Sequence, residues 1–334
     1  MATMKDVARL AGVSIATVSS TLSGRNFVSP ELKERVLAAI EELGYAPNAM
    51  ASGLKRGTSS LIGLVVPDIT NPFFTELVHH IQSRALENGF NVILGVSDND
   101  AVREAELLRH MRTQQAAGSI VIPCGGEEDC RRLGQNGSGM PLVAADSAPL
   151  GMKLDTVVLD NRKAAGIATA HILSHGHERI AILVGPSHRF VSHERFLGFQ
   201  AALEQRGVAF SESLAKRGNF QVDAAREAVL ALLASRPRPT AIFVSNNLMM
   251  IGLLQAVAQA GLSVPKDISV VSIDDFPWAT GVTPGLTTVR QPVKAIAISA
   301  FDCLAARIAG DEGEPRRIVL DPELVVRQSC AAPA

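Results

Sequence analysis

The sequence predicts a small all-α headpiece followed by a larger α/β region, in which parallel sheets carry helices on both faces. Short amphipathic helical patterns fill the first part of the chain, whereas apolar strand-like runs alternate with helical patterns from Leu61 onward. One Trp and one Tyr occur among 334 residues. Val, Ile, Leu and Ala must therefore fill the cores, which is typical of parallel sheets under helices.

The headpiece begins with two short helical patterns, Lys5–Ala11 and Ile15–Leu22, with Gly12 between them. Glycine tolerates the left-handed conformation that a tight turn between helices needs. The spacing indicates a helix-turn-helix with Val7, Val13 and Val18 in one apolar centre. In such a motif the second helix enters the major groove of DNA and the first crosses the phosphates, although a helical cap on an enzyme has a similar pattern.

Three capping patterns support these boundaries. Thr3 and Asp6 form a variant of the capping box before the first helix, and Ser14 can cap the second. Pro30, after Ser29, is expected at the first position of a third helix. Its predicted apolar stripe comprises Val36, Leu37, Ile40 and Leu43, and Gly44 follows its end.

The segment from Tyr45 to Gly57 has two interpretations. Asn48 can cap a helix over Ala49–Arg56, which is too short to persist alone in water. Leu54 beside Lys55 suggests a hinge helix that forms against DNA, with an apolar wedge in the minor groove and cations on the phosphates. The alternative is a flexible linker.

From Leu61 the predicted strands and helices alternate in two series. The predicted strands are LIGLVVP, NVILGV, SIVIP, PLVAAD, TVVLD, RIAILVG, TAIFVS and ISVVSID. The predicted helices span 73–88, 104–115, 163–175, 195–206, 224–234 and 248–260. Ligands of such folds bind at the carboxyl ends of the parallel strands.

Charge, cysteines and terminal sequence limit the class of protein. The net charge of −1 excludes a globally basic surface for nucleic acid, but basic residues concentrate in the first part of the chain. The four cysteines form no CxxC pair and have no His at zinc-ligand spacing, so buried free thiols are expected and no metal site is predicted. Neither a signal peptide nor a membrane-spanning run occurs, which favours a soluble cytoplasmic protein.

Motifs of catalysis and cofactor binding are missing from the sequence. It contains no G-x-G-x-x-G after a strand, no P-loop, no H-E-x-x-H and no G-x-S-x-G. His175 and His177 are interpreted as residues that cap a helix end and a turn, in preference to a metal-binding pair. An enzyme is therefore disfavoured, and no cofactor is predicted.

Polar side chains at the ends of predicted strands are the candidate ligand-binding groups. Carboxylates, amides, guanidinium groups and flat rings suit the hydroxyls and faces of a sugar or the edges of a base. The candidates are Asp146, Asp160, Asn246, Asp274, Arg189, Arg195, Phe73, Phe74 and Phe220. For Asp160, Asp275 and Asn247, helix capping or hydrogen bonding between lobes is an equal alternative, and Phe73 could pack in a core.

Several motifs, in order along the chain, resemble the lactose repressor (LacI/GalR) family of bacterial transcription regulators. They are KDVARLAGVSIATVSSTLSG, VSPELKERVLAAIEELGYAPNAMASGLKRG, SSLIGLVVPDITNPFF, HGHERIAIL, AIFVSNN, ISVVSIDD and LTTVRQP. The resemblance implies an N-terminal all-α helix-turn-helix headpiece with a hinge helix, followed by a two-lobed α/β periplasmic-binding-protein-like domain.

The resemblance also implies domain boundaries. The headpiece would span 1–46, the hinge and linker 47–60, and the effector-binding and dimerisation domain 61–334. Its N-lobe would comprise 61–160 plus about 291–320, and its C-lobe 162–289 plus about 321–330. Because the C-terminus has no leucine heptad, a homodimer without a tetramerisation coil is expected.

The function implied by the resemblance is sequence-specific DNA binding, most simply as a repressor controlled by a small effector. The effector would be a sugar, sugar acid or polyol, with a nucleobase second, and the partner a pseudo-palindromic operator. The alternative is a solute-binding protein for uptake. The DNA-binding candidates are Lys5, Ser14, Ile15, Ala16, Thr17, Ser19, Ser20, Arg25, Asn26, Leu54 and Lys55.

Overall fold

The structure, a computed structural model, describes residues 2–23, 27–45, 59–136, 139–149 and 152–333. The chain divides into two compact units, Met1–Ser60 and Leu61–Ala334. The predicted hinge helix over 49–56 lies outside the described residues.

The first unit contains three helices around one small core. They are α1 (Met4–Ala11), α2 (Ile15–Ser23) and α3 (Pro30–Glu42). Val7, Val18 and Val36 are fully buried between them, and Val13 packs against this core from its edge. The predicted stripe is wrong at Leu37, which is 48% exposed. Val36 and Ala39 are three residues apart and share the buried face of the helix. Each residue turns a helix by about 100°, so Leu37 points away from that face.

The turn between α1 and α2 is held by its backbone and by one arginine. Gly12 has a φ of 62°, which a residue with a Cβ rarely adopts. Arg35 from α3 donates from Nη2 to the carbonyl of Ala11 at 2.6 Å. The predicted capping box between Thr3 and Asp6 is present. These contacts supply partners for both exposed ends of α1.

The second unit contains two six-stranded sheets. The first is entirely parallel, in the order β11-β5-β4-β3-β1-β2. Its strands are β1 (Leu61–Val66), β2 (Asn91–Val96), β3 (Gly118–Val121), β4 (Leu142–Asp146), β5 (Asp155–Leu159) and β11 (Arg317–Leu320). Its helices are α4 (Pro72–Glu87), α5 (Ala101–Thr113), α6 (Glu127–Asn136) and α11 (Val293–Ile308). We call this assembly lobe 1.

The second sheet has the order β12-β10-β9-β8-β6-β7, and only its edge strand β12 is antiparallel to its neighbour. Its strands are β6 (Ile180–Val184), β7 (Ala215–Arg217), β8 (Ala241–Val244), β9 (Ser269–Ile273), β10 (Thr287–Arg290) and β12 (Glu323–Val325). Its helices are α7 (Asn161–Ser174), α8 (Phe190–Gln205), α9 (Val222–Ala234) and α10 (Asn247–Gln259). We call this assembly lobe 2.

The chain passes between the lobes after β5, after β10 and after β11. Each passage leaves the carboxyl end of a strand, so the strand ends of both sheets meet where the lobes meet. The predicted fold class is confirmed. Sequence patterns failed to predict α6 and α11, and the predicted start of α8 at Arg195 is wrong because that helix begins at Phe190.

A buried carboxylate holds the far end of lobe 1 together. Asp155, at the start of β5, accepts from Arg307 at 2.9 Å and from Arg316 at 2.7 Å. Burial raises the pKa of Asp155, but the hydrogen bonds from both arginines outweigh it and hold the pKa well below its usual range. The carboxylate thereby links β5 to α11 and to the residue before β11.

Two glycines allow the helices of lobe 2 to approach closely. A Cβ on Gly198 of α8 would lie 2.1 Å from the carbonyl oxygen of Arg162 in α7. On the other face, a Cβ on Gly252 of α10 would lie 2.2 Å from the carbonyl oxygen of Val222 in α9. Both obstructions are backbone atoms, so neither is relieved by a side-chain rotation.

Gly198→Ala is expected to separate α7 from α8 and to lower the free energy of unfolding by about 1–3 kcal/mol. Gly166→Ala is the matched control, since its Cβ would meet only the Gly198 carbonyl at 3.9 Å. Alanine at 166 should leave stability unchanged or raise it by up to about 1 kcal/mol through helix propensity. Urea denaturation of the full chain measures both. Equal losses for the two variants would contradict the packing argument.

Candidate functional site

The headpiece presents the first turn of α2 to solvent. Ser14, Ile15 and Ala16 are exposed, and so is Lys5 on α1. The Ser14 hydroxyl accepts from the backbone N–H of Thr17 at 3.0 Å, which is the predicted N-cap. The start of α2 is thus rigid and accessible, as a helix that enters a DNA groove requires.

The remaining DNA-binding candidates differ in position. Thr17, Ser19 and Ser20 are half-buried on α2. Arg25, Asn26, Leu54 and Lys55 lie outside the described residues. The sequence of α2, IATVSSTLS, contains only short hydroxyl and apolar side chains and no charged one.

A cavity of 710 Å³ lies between the carboxyl ends of the two sheets. Its size is within the usual range of small-molecule sites. Eight of the nine ligand-binding candidates line it: Phe73, Phe74, Asp146, Arg189, Arg195, Phe220, Asn246 and Asp274. The structure therefore gathers side chains from both lobes around one space.

Asp160 is the exception among the ligand-binding candidates. Its carboxylate accepts from the backbone N–H of Lys163 at 2.9 Å and caps α7, and it does not line the cavity. Of the two residues with the same alternatives, Asn247 makes the hydrogen bond between lobes, whereas Asp275 pairs with arginines of its own lobe. Asp275 binds Arg290 and Arg327 at 2.7 Å, and Asn247 donates to the Asn71 side chain of lobe 1 at 2.8 Å.

Arg195 lines the cavity and is 3% exposed. Its Nε donates to the Asn161 side chain at 2.7 Å and its Nη1 donates to the carbonyl of Ser245 at 2.5 Å. Asn161 follows the first passage between lobes, whereas Ser245 follows β8. One guanidinium group therefore ties a crossing segment to the end of a central strand.

Asp274, at the end of β9, is held in a left-handed conformation with φ of 78°. Its carboxylate accepts from the side chain of Gln291 at 2.6 Å and from the backbone N–H of Asn247 at 3.2 Å. Gln291 lies on the second passage between the lobes. The strand end, the start of α10 and a crossing segment thus share one carboxylate.

Asp146 occupies the corresponding place at the end of β4 in lobe 1, with φ of 61°. Its Oδ1 is buried without a hydrogen-bond partner among the described residues. Burial raises the pKa of this carboxyl to about 6, although Arg195 and Arg189 act in the opposite direction. A carboxylate left unsatisfied in a cavity is an acceptor available to a ligand.

Arg189 precedes α8 and is 4% exposed. Its Nη1 donates across the cavity to the Asn99 side chain of lobe 1 at 3.0 Å, whereas its Nε is buried without a partner among the described residues. Arg189 and Arg195 bring two guanidinium groups to one cavity, so an acidic ligand is chemically compatible with it.

Aromatic rings form the apolar part of the lining. Phe73 and Phe74 pack edge to face with ring centroids 5.1 Å apart. Phe220, with φ of 59°, covers Gly185 so closely that a Cβ there would lie 2.2 Å from its ring. These flat surfaces suit the carbon faces of a polar ring.

Three side-chain contacts among the described residues cross from one lobe to the other. Two are the side-chain hydrogen bonds from Asn247 to Asn71 and from Arg189 to Asn99. In the third, the guanidinium of Arg317 lies 6.0 Å from the ring centroid of Phe190. Polar and aromatic side chains of the two lobes thus contact each other directly.

Sequence reasoning missed Asn71, Asn99 and Gln291 as members of the site. Each follows an apolar strand closely, in PDITN, SDN and RQP, so the strand-end rule that found Asp146 applies to them too. Their cross-lobe partners could not be read from the sequence, because pairing depends on how the lobes face each other.

Both ring nitrogens of His177 are hydrogen-bonded within lobe 2. Nδ1 lies 2.9 Å from the Thr240 hydroxyl and Nε2 lies 2.8 Å from the carbonyl oxygen of Ala331. It therefore cannot join His175 in a metal-binding pair without losing these bonds.

Among the described ranges, no helix has the length and apolar character needed to cross a bilayer.

Comparison with known families assigns both units. Residues 3–48 match the family described as bacterial regulatory proteins, lacI family. Residues 169–330 match the periplasmic binding protein-like domain. The first match covers α1 to α3, and the second covers most of lobe 2 and the third passage between lobes.

Whole-chain relatives agree with these matches. The chain is 36% identical over 330 residues to the HTH-type transcriptional repressor PurR of Photobacterium profundum, covering 98% of each chain. It is 35% identical over 329 residues to the ribose operon repressor of Escherichia coli strain K12, covering 98% of this chain and 100% of that protein. Among solved structures, the lac repressor dimer bound to operator and the anti-inducer ONPF superposes with a TM-score of 0.91, at 26% identity and 99% coverage of both chains.

These relatives are repressors, not enzymes, so neither the enzyme nor the solute-binding alternative is retained. The helix-turn-helix with its exposed first turn and the two-lobed body occur together in proteins of one family. The chain belongs to the LacI family of bacterial regulatory proteins and is a DNA-binding transcriptional repressor of that family.

Proposed function

We propose that this repressor is controlled by a small, hydroxyl-rich effector that binds in the cavity between the lobes. One observation carries the proposal. Asp146, Arg189 and Gln291 line the cavity, and each has a buried polar atom, Oδ1, Nε and Oε1 respectively, without a hydrogen-bond partner among the described residues. Buried polar atoms are costly unless a ligand or water satisfies them.

The unsatisfied atoms define the ligand chemistry. Two are acceptors and one is a donor, and a hydroxyl group can both donate and accept. Phe73, Phe74 and Phe220 provide apolar surface beside them. A sugar, sugar acid or polyol is the effector that fits best, and the two arginines extend the range to acidic ligands. A nucleobase is the second choice, because its edges also carry donors and acceptors.

Control of DNA binding is proposed to run through lobe closure. The hydrogen bonds from Asn247 to Asn71 and from Arg189 to Asn99 join the two lobes, so a ligand bound between the lobes changes the balance between open and closed arrangements. In a homodimer that change would reach the headpieces through residues 47–60. We retain 1–46, 47–60 and 61–334 as the functional division of the chain.

Operator recognition is proposed to be shared between α2 and the hinge. Ile15 and Ala16 offer only apolar contact with bases, and Ser14 and Thr17 bind each other, with 2.9 Å between their hydroxyl oxygens. Such contacts discriminate less than the bidentate pairs that distinguish bases by about 1–3 kcal/mol each. A pseudo-palindromic operator with a deformable centre would supply the rest through Leu54 in the minor groove.

A thermal-shift screen of the full chain tests effector class. We expect pentoses, hexoses, sugar acids or polyols to raise the melting temperature by mass action. Arg195→Lys and Asp274→Asn should each weaken that ligand at least tenfold. Glu194→Gln should not, because Glu194 is paired with Arg162 of α7 and does not line the cavity. If only nucleobases raised the melting temperature, a nucleobase would replace the sugar class as the proposed effector. If the ligand raised the melting temperature of both cavity variants as much as that of the wild-type chain, the effector would bind elsewhere.

Asp146→Asn should raise the melting temperature at pH 7 but not at pH 4. The folded carboxyl has its pKa raised to about 6 by burial. Between the unfolded and folded pKa values the folded chain binds more protons than the unfolded chain, so stability falls as pH rises. The loss reaches about 3 kcal/mol and is complete above pH 6. Asparagine removes this cost.

The matched control for Asp146→Asn is Asp223→Asn on the exposed side of α9, which should change the melting temperature little at either pH. The measurement is calorimetry without effector. A pH-independent gain at position 146 would exclude the carboxyl as the source.

Leu54→Ala is expected to weaken operator binding at least tenfold, equivalent to about 1.4 kcal/mol. Ser20→Ala should weaken it only a few-fold. Fluorescence anisotropy with a labelled operator at fixed salt compares them, since affinity for DNA depends strongly on ionic strength. A larger loss of operator affinity for Ser20→Ala than for Leu54→Ala would show that α2 makes the main contribution to operator recognition.

A further inference from the structure

A cluster of three possible metal ligands lies on lobe 2, away from the cavity residues. It comprises His171 and His175 at the end of α7 and Cys330 in the C-terminal segment. One ligand atom from each lies within 4.8 Å of the other two. The histidines are one helical turn apart, with ring centroids 4.7 Å apart.

The His175 imidazole is oriented so that one ring nitrogen offers its lone pair to a metal ion. His175 Nδ1 lies 2.9 Å from the carbonyl oxygen of His171, and a carbonyl can only accept, so this nitrogen carries the proton. The free lone pair of His175 is therefore on Nε2. Donation from the second ring nitrogen to a backbone carbonyl is the arrangement that orients histidine ligands of metals.

His171 and Cys330 supply the buried part of the cluster. His171 Nε2 is buried without a hydrogen-bond partner among the described residues. Cys330 is a free thiol and is 8% exposed. A buried ring nitrogen without a partner is costly in a packed protein, and a metal ion would satisfy it.

Cys330 is held in place by the segment around it. Ser329 accepts from Val270 of β9 at 2.8 Å, and the Ala331 N–H donates to the Ser269 hydroxyl at 3.1 Å. Ala331 also accepts from His177 at 2.8 Å. The thiol is thus fixed beside the end of α7, rather than carried on a loose tail.

We propose that His171, His175 and Cys330 bind one zinc-class divalent transition metal ion, which joins the C-terminal segment to α7. Two imidazoles and a thiolate are a ligand set typical of Zn²⁺, and the half-buried histidines leave a fourth position for water. Tetrahedral ligand atoms around zinc lie about 3.3–3.6 Å apart, so side-chain movements of about 1 Å complete the site. The thiol proton is released to solvent when the Zn–S bond forms.

Titration of the metal-free full chain with Co²⁺ and Zn²⁺ tests the site. With a non-thiol reductant present, one Co²⁺ per chain should give a thiolate-to-cobalt charge-transfer band that Zn²⁺ abolishes. Zn²⁺ should also raise the melting temperature. Cys330→Ser should remove the band, and His175→Gln should weaken Zn²⁺ at least tenfold.

Two variants control for general effects of losing a thiol or an imidazole. Cys303→Ser removes a buried free thiol from lobe 1, and His110→Gln removes an exposed imidazole from the last turn of α5. Both should keep the band and the affinity. The proposal is overturned by absence of the band in the wild-type chain, or by a band that persists in Cys330→Ser. Because His175 is partly exposed, we expect His175→Gln to fold normally. Circular dichroism checks this before the titration.

Discussion

The cavity between the lobes depends on a buried guanidinium group. Arg195 is removed from water, which is unfavourable for a charge, and burial lowers its pKa in spite of Asp274 and Asp146 nearby. Hydrogen bonds to the Asn161 side chain and the Ser245 carbonyl offset this cost. The positive charge in turn acts against the burial that raises the pKa of Asp146, so one side chain organises a crossing segment, a strand end and the charge of a carboxyl in lobe 1.

The carboxylates are related by their position in the fold. Asp146 ends β4 in lobe 1 and Asp274 ends β9 in lobe 2, and both are held at positive φ. A left-handed residue after a strand turns its side chain out of the sheet and costs about 1–3 kcal/mol in a non-glycine residue. Asp274 is satisfied by Gln291 and Asn247, whereas Asp146 is not. Unsatisfied groups are tolerated where a ligand uses them, and packing elsewhere in the lobes compensates.

Periodicity predicted most elements that bury a clear apolar face, although it missed α11, whose buried residues recur at helical spacing. The strand IAILV is fully buried as Ile180–Val184, and the capping box fixed the start of α1. It failed for α6, whose sequence EEDCRRLGQN has few apolar residues, and for β7, a three-residue edge strand. Elements of this kind are determined by tertiary contacts rather than by local pattern.

The site was predictable to the extent that strand ends define it. The rule located Asp146, Asn246 and Asp274, because the carboxyl ends of parallel strands converge. It could not distinguish a ligand group from a helix cap, and Asp160 is the cap of α7. It also could not find pairs such as Asn71 with Asn247, since they depend on the angle between lobes.

The proposed control by lobe closure depends on the strength of the cross-lobe hydrogen bonds. A net hydrogen bond contributes about 0.5–1.5 kcal/mol, so the bonds from Asn247 to Asn71 and from Arg189 to Asn99 together bias closure by about 1–3 kcal/mol. A shift from 1:99 to 99:1 needs about 5.5 kcal/mol of differential affinity. Arg189 uses Nη1 for Asn99 and keeps Nε free, so a ligand can bind Nε without breaking the cross-lobe bond. We infer that an effector adds to the closing contacts instead of substituting for them, which favours one lobe arrangement in proportion to its own polar groups.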